Sequence, residues 1–168
     1  METPGDLSTL LFWKDKILSG DILALKRYLT RSLSSHPTDI VNSLIFPLDK
    51  VSGHTVGILQ LAVEWDSESF LNVILNYAKT SEGAPLSTFY TPLQSACRYK
   101  DHAQPHLRFG NQRIVEALLR ARADPHRSAG GGPSPLALAV MNNHYDNTGL
   151  LLRHGARLPS GEKPCEGI

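Results

Sequence analysis

Apolar residues recur at helical spacing in several short segments of the chain, and each segment is followed by a break. The clearest example is SPLALAVMNNHYDNTGLLLRHGARL, which covers Ser134 to Leu158. Its pattern predicts a first helix opened by Pro135, a tight turn at Asn142 to His144, and a second helix through Leu150 to Leu152. Gly155 stands where a helix C-terminus favours a left-handed residue. One such pair of short helices cannot bury its apolar face alone, so we expect neighbouring pairs.

A second helix pair lies one fixed step upstream. Thr91-Pro92-Leu93-Gln94-Ser95-Ala96 opens it, and Arg113 to Leu119 forms its second helix. Ala123 and Ala156 are 33 residues apart, and so are Leu119 and Leu152. The register between these two units is therefore intact.

The order Ser/Thr-Pro-Leu, Leu-Ala, Leu-Leu and Gly-Ala resembles an ankyrin repeat, a unit of about 33 residues with a T-P-L-H-x-A signature. Thr91 to Ala96 is the best match in this chain. Ser134 to Ala139 differs from the signature by Ser for Thr and by Ala137 for His, and Arg122 replaces the glycine that would end the third unit. The resemblance implies an all-α ankyrin-repeat solenoid of about four helix-turn-helix units with two insertions.

Two earlier units follow the pattern with lower fidelity. Ile22, Leu25 and Leu29 form one stripe of a helix that Asp21 can cap, and we interpret this segment as the N-terminal capping unit. Gly57 to Ala62 occupies the slot of Ser134 to Ala139. The predicted organisation is a flexible N-terminus over 1–8, a repeat domain over 9–158 with units at about 9–31, 54–78, 88–124 and 131–158, and a disordered tail over 159–168.

Insertions interrupt the repeat at about 32–52 and 100–111. In the first, Thr38 is predicted to cap a short helix over Asp39 to Phe46, and Pro47 to end it. The second insertion, KDHAQPHLRFGN, separates the two helices of the third unit.

Composition narrows the class of protein. The chain has 168 residues, of which 41% are hydrophobic and 20% charged, as in a folded soluble protein, and a net charge of +1 argues against general nucleic-acid binding. No apolar run is long enough to span a bilayer, and the first residues lack the features of a signal peptide, so we expect no membrane partner. Two cysteines favour a reducing compartment, which predicts a cytoplasmic or nuclear protein.

Cysteine and histidine cluster in one place. Cys97, Asp101, His102 and His106 fall within ten residues, which would allow zinc binding or Cys/His catalysis. Cys97, however, occupies the slot of Val140, a small buried position in the fourth unit. Gly130 to Gly132 lacks the Lys-Ser/Thr of a phosphate loop and predicts a flexible turn. We therefore predict a protein that is not an enzyme and holds no metal or cofactor, with a small Cys/His metal-binding protein or enzyme as an alternative.

Charge is uneven along the chain. Residues 98–127 contain seven Lys or Arg and three acids, so this basic half could bind an acidic ligand or a nucleic-acid backbone. A solvated outer face of the second helices explains the same charges.

The ankyrin resemblance implies a protein–protein interaction module, such as an adaptor, scaffold or regulatory protein, that binds another protein through the concave face and is monomeric alone. In that family, contacts come from the turns before each Thr-Pro-Leu slot and from the exposed side of the first helices. Carried over by position, the partner-binding residues are His54, Glu64, Trp65, Thr88, Tyr90, Arg98, Tyr99, Met141 and Asn142. Trp65 has core packing as its alternative role, and the insertion at 100–111 is the alternative location for the function.

Overall fold

Short helices joined in pairs make up most of the fold. The structure, a computed structural model, describes residues 7–31, 45–47, 55–78, 91–98, 111–129 and 131–158. Within these ranges the elements are α1 (Leu7–Ser19), α2 (Ile22–Arg31), β1 (Ile45–Pro47), β2 (Thr55–Gly57), α3 (Ile58–Glu64), α4 (Glu68–Ala78), α5 (Pro92–Cys97), α6 (Gln112–Arg120), α7 (Pro135–Met141) and α8 (Tyr145–Arg153). The predicted helical class is confirmed for this part of the chain, with one short pair of strands in addition.

The helices pack in a regular order. Consecutive helices pair as α1 with α2, α3 with α4, α5 with α6 and α7 with α8. The first helices of successive pairs also contact one another, α1 with α3, α3 with α5 and α5 with α7. The second helices do the same, α2 with α4, α4 with α6 and α6 with α8. Each pair therefore covers part of the apolar face of the pair before it.

Side-chain caps set the starts of two of the first helices, α5 and α7. Thr91 Oγ1 accepts a hydrogen bond from Gln94 N at 3.1 Å, and Thr91 N donates to Gln94 Oε1 at 2.8 Å. This reciprocal pair is a capping box, and Pro92 follows it in the first turn. Ser134 Oγ accepts from Ala137 N at 3.2 Å in the equivalent place of α7. The Thr-Pro-Leu and Ser-Pro-Leu sequences thus begin helices because they satisfy backbone N–H groups that a helix N-terminus leaves free.

Left-handed residues end five of the described helices. They are Gly20, Asp66, Arg122, Asn143 and Gly155, with φ between 55° and 85°. After α8, for example, Ala156 N donates to Leu151 O at 3.0 Å and Gly155 N donates to Leu152 O at 3.0 Å. This pair of hydrogen bonds is a Schellman motif, which satisfies the last carbonyls of a helix. At the end of α5, by contrast, Arg98 is extended, with φ −77° and ψ 147°, where the second predicted insertion begins.

Buried residues from every pair form one hydrophobic core. The largest fully buried side chains are Phe70, Leu25, Leu29, Ile58, Leu71, Ile74, Leu93, Ile114, Leu118 and Leu151. Each contributes about 1.5–3 kcal/mol relative to an exposed position. Since these residues come from all four helix pairs, the pairs stabilise one another.

One element of the first insertion differs from the prediction. The predicted helix over Asp39 to Phe46 is wrong at Ile45 and Phe46, which lie in β1, while residues 39–44 lie outside the described ranges. Strand β1 pairs antiparallel with β2, with Phe46 opposite Val56. A residue before proline disfavours the helical region, so Phe46 before Pro47 is suited to an extended backbone.

Two boundaries also shift. Helix α1 begins at Leu7, inside the stretch 1–8 that the sequence predicts to be flexible. Asn111, counted with the insertion 100–111, is the N-cap of α6, because its Oδ1 accepts from Arg113 N at 3.0 Å.

Candidate interaction surface

The C-terminal ends of α3, α5 and α7 present equivalent residues. Glu64, Arg98 and Met141 each follow the N-cap residue of their helix by seven positions, since the N-caps are Gly57, Thr91 and Ser134. Because α3 contacts α5 and α5 contacts α7, these positions follow one another along the fold. We call Glu64, Arg98 and Met141, together with Trp65 and Asn142 that follow two of them, the helix-end row.

Polar contacts connect neighbouring members of the helix-end row. Arg98 Nη2 lies 3.6 Å from Glu64 Oε2, and Gln60 Nε2 donates to Glu64 Oε1 at 2.8 Å. Asn142 Nδ2 donates to Cys97 O at 3.3 Å, which ties the end of α7 to the end of α5. The structure therefore brings together Glu64 and Arg98, and places Asn142 against the residue before Arg98.

Exposure distinguishes the members of the row. The side chain of Met141 is 67% exposed, whereas those of Glu64 and Arg98 are 29% and 40% exposed and engaged with each other. Met141 is therefore the member most open to a partner. A thioether side chain adapts to irregular apolar surfaces, which suits a contact residue.

Trp65 has two environments. It is half-buried and packs against the hydrophobic core, which supports the core-packing role. It also lines an open groove of about 590 Å³ between the α1–α2 turn and the α3–α4 turn, together with Leu18 and Gly20. Both roles foreseen for Trp65 are thus compatible with its position.

The other predicted contact residues lie outside the described ranges. They are His54, Thr88, Tyr90 and Tyr99. Their part in binding stays a prediction.

Ion pairs engage several charges of the basic half 98–127. Arg113 Nη1 lies 3.5 Å from Glu68 Oε2, and Arg120 Nη2 lies 2.6 Å from Glu116 Oε1. With the pair of Arg98 and Glu64, three of the five arginines described in this stretch already face a carboxylate. This arrangement weakens the case for an acidic-ligand site there.

Cys97 is the described member of the cysteine and histidine cluster. Its side chain is fully buried, and burial raises the pKa of the thiol to about 12. A nucleophile or metal ligand must be a thiolate, so this environment favours the role of a small core residue. Asp101, His102 and His106 lie outside the described ranges. Elsewhere, the described residues hold no group of three or more His, Cys, Asp or Glu side chains suited to a metal ion.

The glycine-rich turn before α7 has a backbone role. Gly131 is left-handed with φ 67°, and Gly132 N donates to Ala129 O at 3.2 Å. These features describe a turn between the third and fourth helix pairs, while Gly130 lies outside the described ranges.

Two buried glutamines connect neighbouring parts of the stack, and the sequence analysis did not single them out. Gln94 Oε1 accepts from Ala129 N at 2.9 Å, and Gln94 Nε2 donates to Pro133 O at 2.8 Å. Gln60 Nε2 donates to Ser95 Oγ across the α3–α5 contact. The available signal was a polar residue inside an otherwise apolar first helix, which requires a buried hydrogen-bond partner.

Neither of two comparisons with known proteins finds a match. No protein-family model matches the chain, and no curated protein matches it. None of the helices in the described ranges combines the length and apolar character that crossing a membrane requires. The resemblance noted from Thr91 to Ala96 and from Ser134 to Leu158 therefore rests on the residues of this chain.

Proposed function

We propose that the chain is an ankyrin-type protein-interaction module, an adaptor or regulatory protein of the cytoplasm or nucleus, that binds a partner protein through the helix-end row. Support comes from the repeated order of cap, proline and short helix at Thr91 and Ser134, and from the left-handed residues Arg122, Asn143 and Gly155 that end α6, α7 and α8. Stacked repeats of this kind present extended surfaces to other macromolecules.

One observation carries the proposal most directly. Positions 64, 98 and 141 are equivalent in three successive units whose first helices contact one another. A partner lying across the ends of these helices would meet an acid, a base and a thioether in order. Such a mixed row gives specificity through its polar members and contact area through Met141 and Trp65.

Photo-crosslinking tests where the partner binds. A benzophenone amino acid is placed at Met141, and at Leu11 as the matched control, because Leu11 is 57% exposed on α1. We expect the same protein to be crosslinked repeatedly from position 141 and not from position 11. Crosslinks from position 11 alone, or an identical set of proteins from both positions, would contradict binding through the row.

A further inference from the structure

The last helix pair, α7–α8, exposes apolar positions that the inner pairs bury. Leu152 is 55% exposed, whereas its equivalents Leu75 and Leu119 are 7% and 5% exposed. In those inner pairs, the next pair of helices packs against α4 and α6. In both inner pairs this position therefore lies in the contact between neighbouring pairs. In α8 the same position, Leu152, is exposed.

First-helix residues repeat this contrast. Val140 is 42% exposed, whereas its equivalents Val63 and Cys97 are fully buried. Leu152 and Val140 thus belong to one outer face of the last pair, which we call the end face.

Residues that form polar contacts between inner pairs are replaced in the last pair by an alanine and a tyrosine. Between the second and third pairs, Gln60 bonds Ser95 and Glu68 pairs with Arg113. The positions of Gln60 and Glu68 are occupied in the last pair by Ala137 and Tyr145, and Tyr145 is 81% exposed. A repeat face in contact with water is expected to be polar. At these two positions the last described pair instead carries an alanine and a tyrosine.

Gly149 gives an independent sign that another backbone approaches the end face. It lies in the middle of α8, four residues after Tyr145 and three before Leu152, so the three share one side of the helix. A Cβ at Gly149 would meet nothing within 4 Å, so nothing in the described fold excludes a side chain there. Glycine destabilises a helix interior relative to alanine, and close approach of a second backbone is what glycine permits.

Charges on either side of Gly149 point to a second copy of the chain as the occupant. Asp146 precedes Gly149 by three residues and Arg153 follows it by four, so they border the same side of α8 about 10 Å apart along its axis. Neither forms an ion pair within the described part of the chain. If two α8 helices cross antiparallel at Gly149, each Asp146 lies opposite the Arg153 of the other copy.

We propose that the end face binds a second copy of the chain in a two-fold symmetric dimer, with the two α8 helices antiparallel and closest at Gly149. A two-fold interface uses the same patch on both copies, which requires this kind of self-complementarity. The dimer departs from the monomer expected from the sequence. It leaves Trp65, Glu64 and Arg98, on the preceding pairs, available to a different partner.

Sedimentation equilibrium of the full chain in reducing buffer tests the dimer, because reduction prevents a disulfide through Cys165 from imitating it. We expect reversible dimerisation, weakened at least tenfold by Leu152→Glu and by Gly149→Gln. The matched control Leu11→Glu changes an equally exposed leucine on α1 and should leave the dimer unchanged. Circular dichroism melts show that each variant remains folded.

A charge exchange tests the antiparallel arrangement. Asp146→Arg alone should weaken the dimer, and Asp146→Arg combined with Arg153→Asp should restore it, since the exchange recreates both pairs across the axis. Three results would overturn the proposal: a wild-type chain that stays monomeric at all concentrations, a dimer that Leu152→Glu leaves intact, or a double exchange that fails to restore association.

Discussion

Left-handed residues end helices at equivalent positions of successive pairs. Arg122 after α6 and Gly155 after α8 are 33 residues apart and have φ of 62° and 85°. Gly155 has no atom within 4 Å of a Cβ built on it, so its backbone conformation alone favours glycine there. Arg122 shows that the fold tolerates a side chain at this place.

Alanine substitutions at two glycines should therefore have opposite effects. Gly155→Ala should lower the free energy of unfolding by about 1 kcal/mol, because an L side chain is strained in the left-handed region. Gly149→Ala should raise it by about 0.5–1 kcal/mol, because alanine favours a helix interior. Urea denaturation at a concentration where the chain is monomeric measures both. A loss at Gly149 as large as that at Gly155 would contradict the helix-interior environment described for Gly149.

Cys97 makes the free energy of unfolding depend on pH in the alkaline range. Burial raises its thiol pKa from 9.0 to about 12, so between these values the folded chain keeps a proton that the unfolded chain loses. The contribution of Cys97 to the free energy of unfolding is therefore fully present below pH 9. Above pH 9 it falls by about 1.4 kcal/mol per pH unit.

Cys97→Val removes that dependence, and the equivalent residue Val63, which is also fully buried, shows that valine suits the position. We expect wild type and variant to have similar free energies of unfolding at pH 7. The variant should be the more stable by about 1.4 kcal/mol at pH 10. Parallel pH profiles from urea denaturation would mean that the thiol is not buried in this way.

Single elements differ in how far the sequence predicts them. The starts of α5 and α7 were predicted because Thr91-Pro92 and Ser134-Pro135 are local signals whose partners lie three residues away. Strands β1 and β2 were not predicted, because their pairing depends on residues about ten positions apart. Propensity within one segment does not contain that information.

The helix-end row was likewise predicted from the sequence only in part. Glu64, Arg98 and Met141 were identified from repeat position alone, and their mutual order follows from the stacking of α3, α5 and α7. The ion pair of Glu64 with Arg98 and the roles of Gln60 and Gln94 required the structure. Gln94, for instance, bonds Ala129 and Pro133, which only the return of the chain after α6 brings near.

Gln94 holds the start of α5 to the loop before α7, so its removal should affect two units. Gln94→Ala leaves Ala129 N and Pro133 O without this partner, and we expect a loss of about 3 kcal/mol in the free energy of unfolding. Gln112→Ala is the matched control at an exposed position, expected to change stability by less than about 0.5 kcal/mol. Equal effects of the two changes would remove the structural role assigned to Gln94.

At the scale of the whole molecule, the two proposed surfaces lie on different but adjoining parts of the stack. The helix-end row extends over the second, third and fourth pairs, and its most exposed member, Met141, lies on the last pair, which also carries Leu152 of the end face. In repeat proteins each unit contacts only its neighbours, so changes on exposed positions should leave the remaining stack intact. Binding and stability can therefore be measured separately in this chain.

Partner affinity provides the most direct measurement of the central claim. The dissociation constant of the partner identified by crosslinking is compared by calorimetry for wild type, Trp65→Ala, Met141→Ala and the control Leu11→Ala, with melting temperatures measured alongside. We predict that Trp65→Ala and Met141→Ala each weaken binding about fivefold or more, which corresponds to about 1 kcal/mol, with little change in melting temperature. Unchanged affinity in both row variants, or a loss equal to that of Leu11→Ala, would contradict binding through the helix-end row.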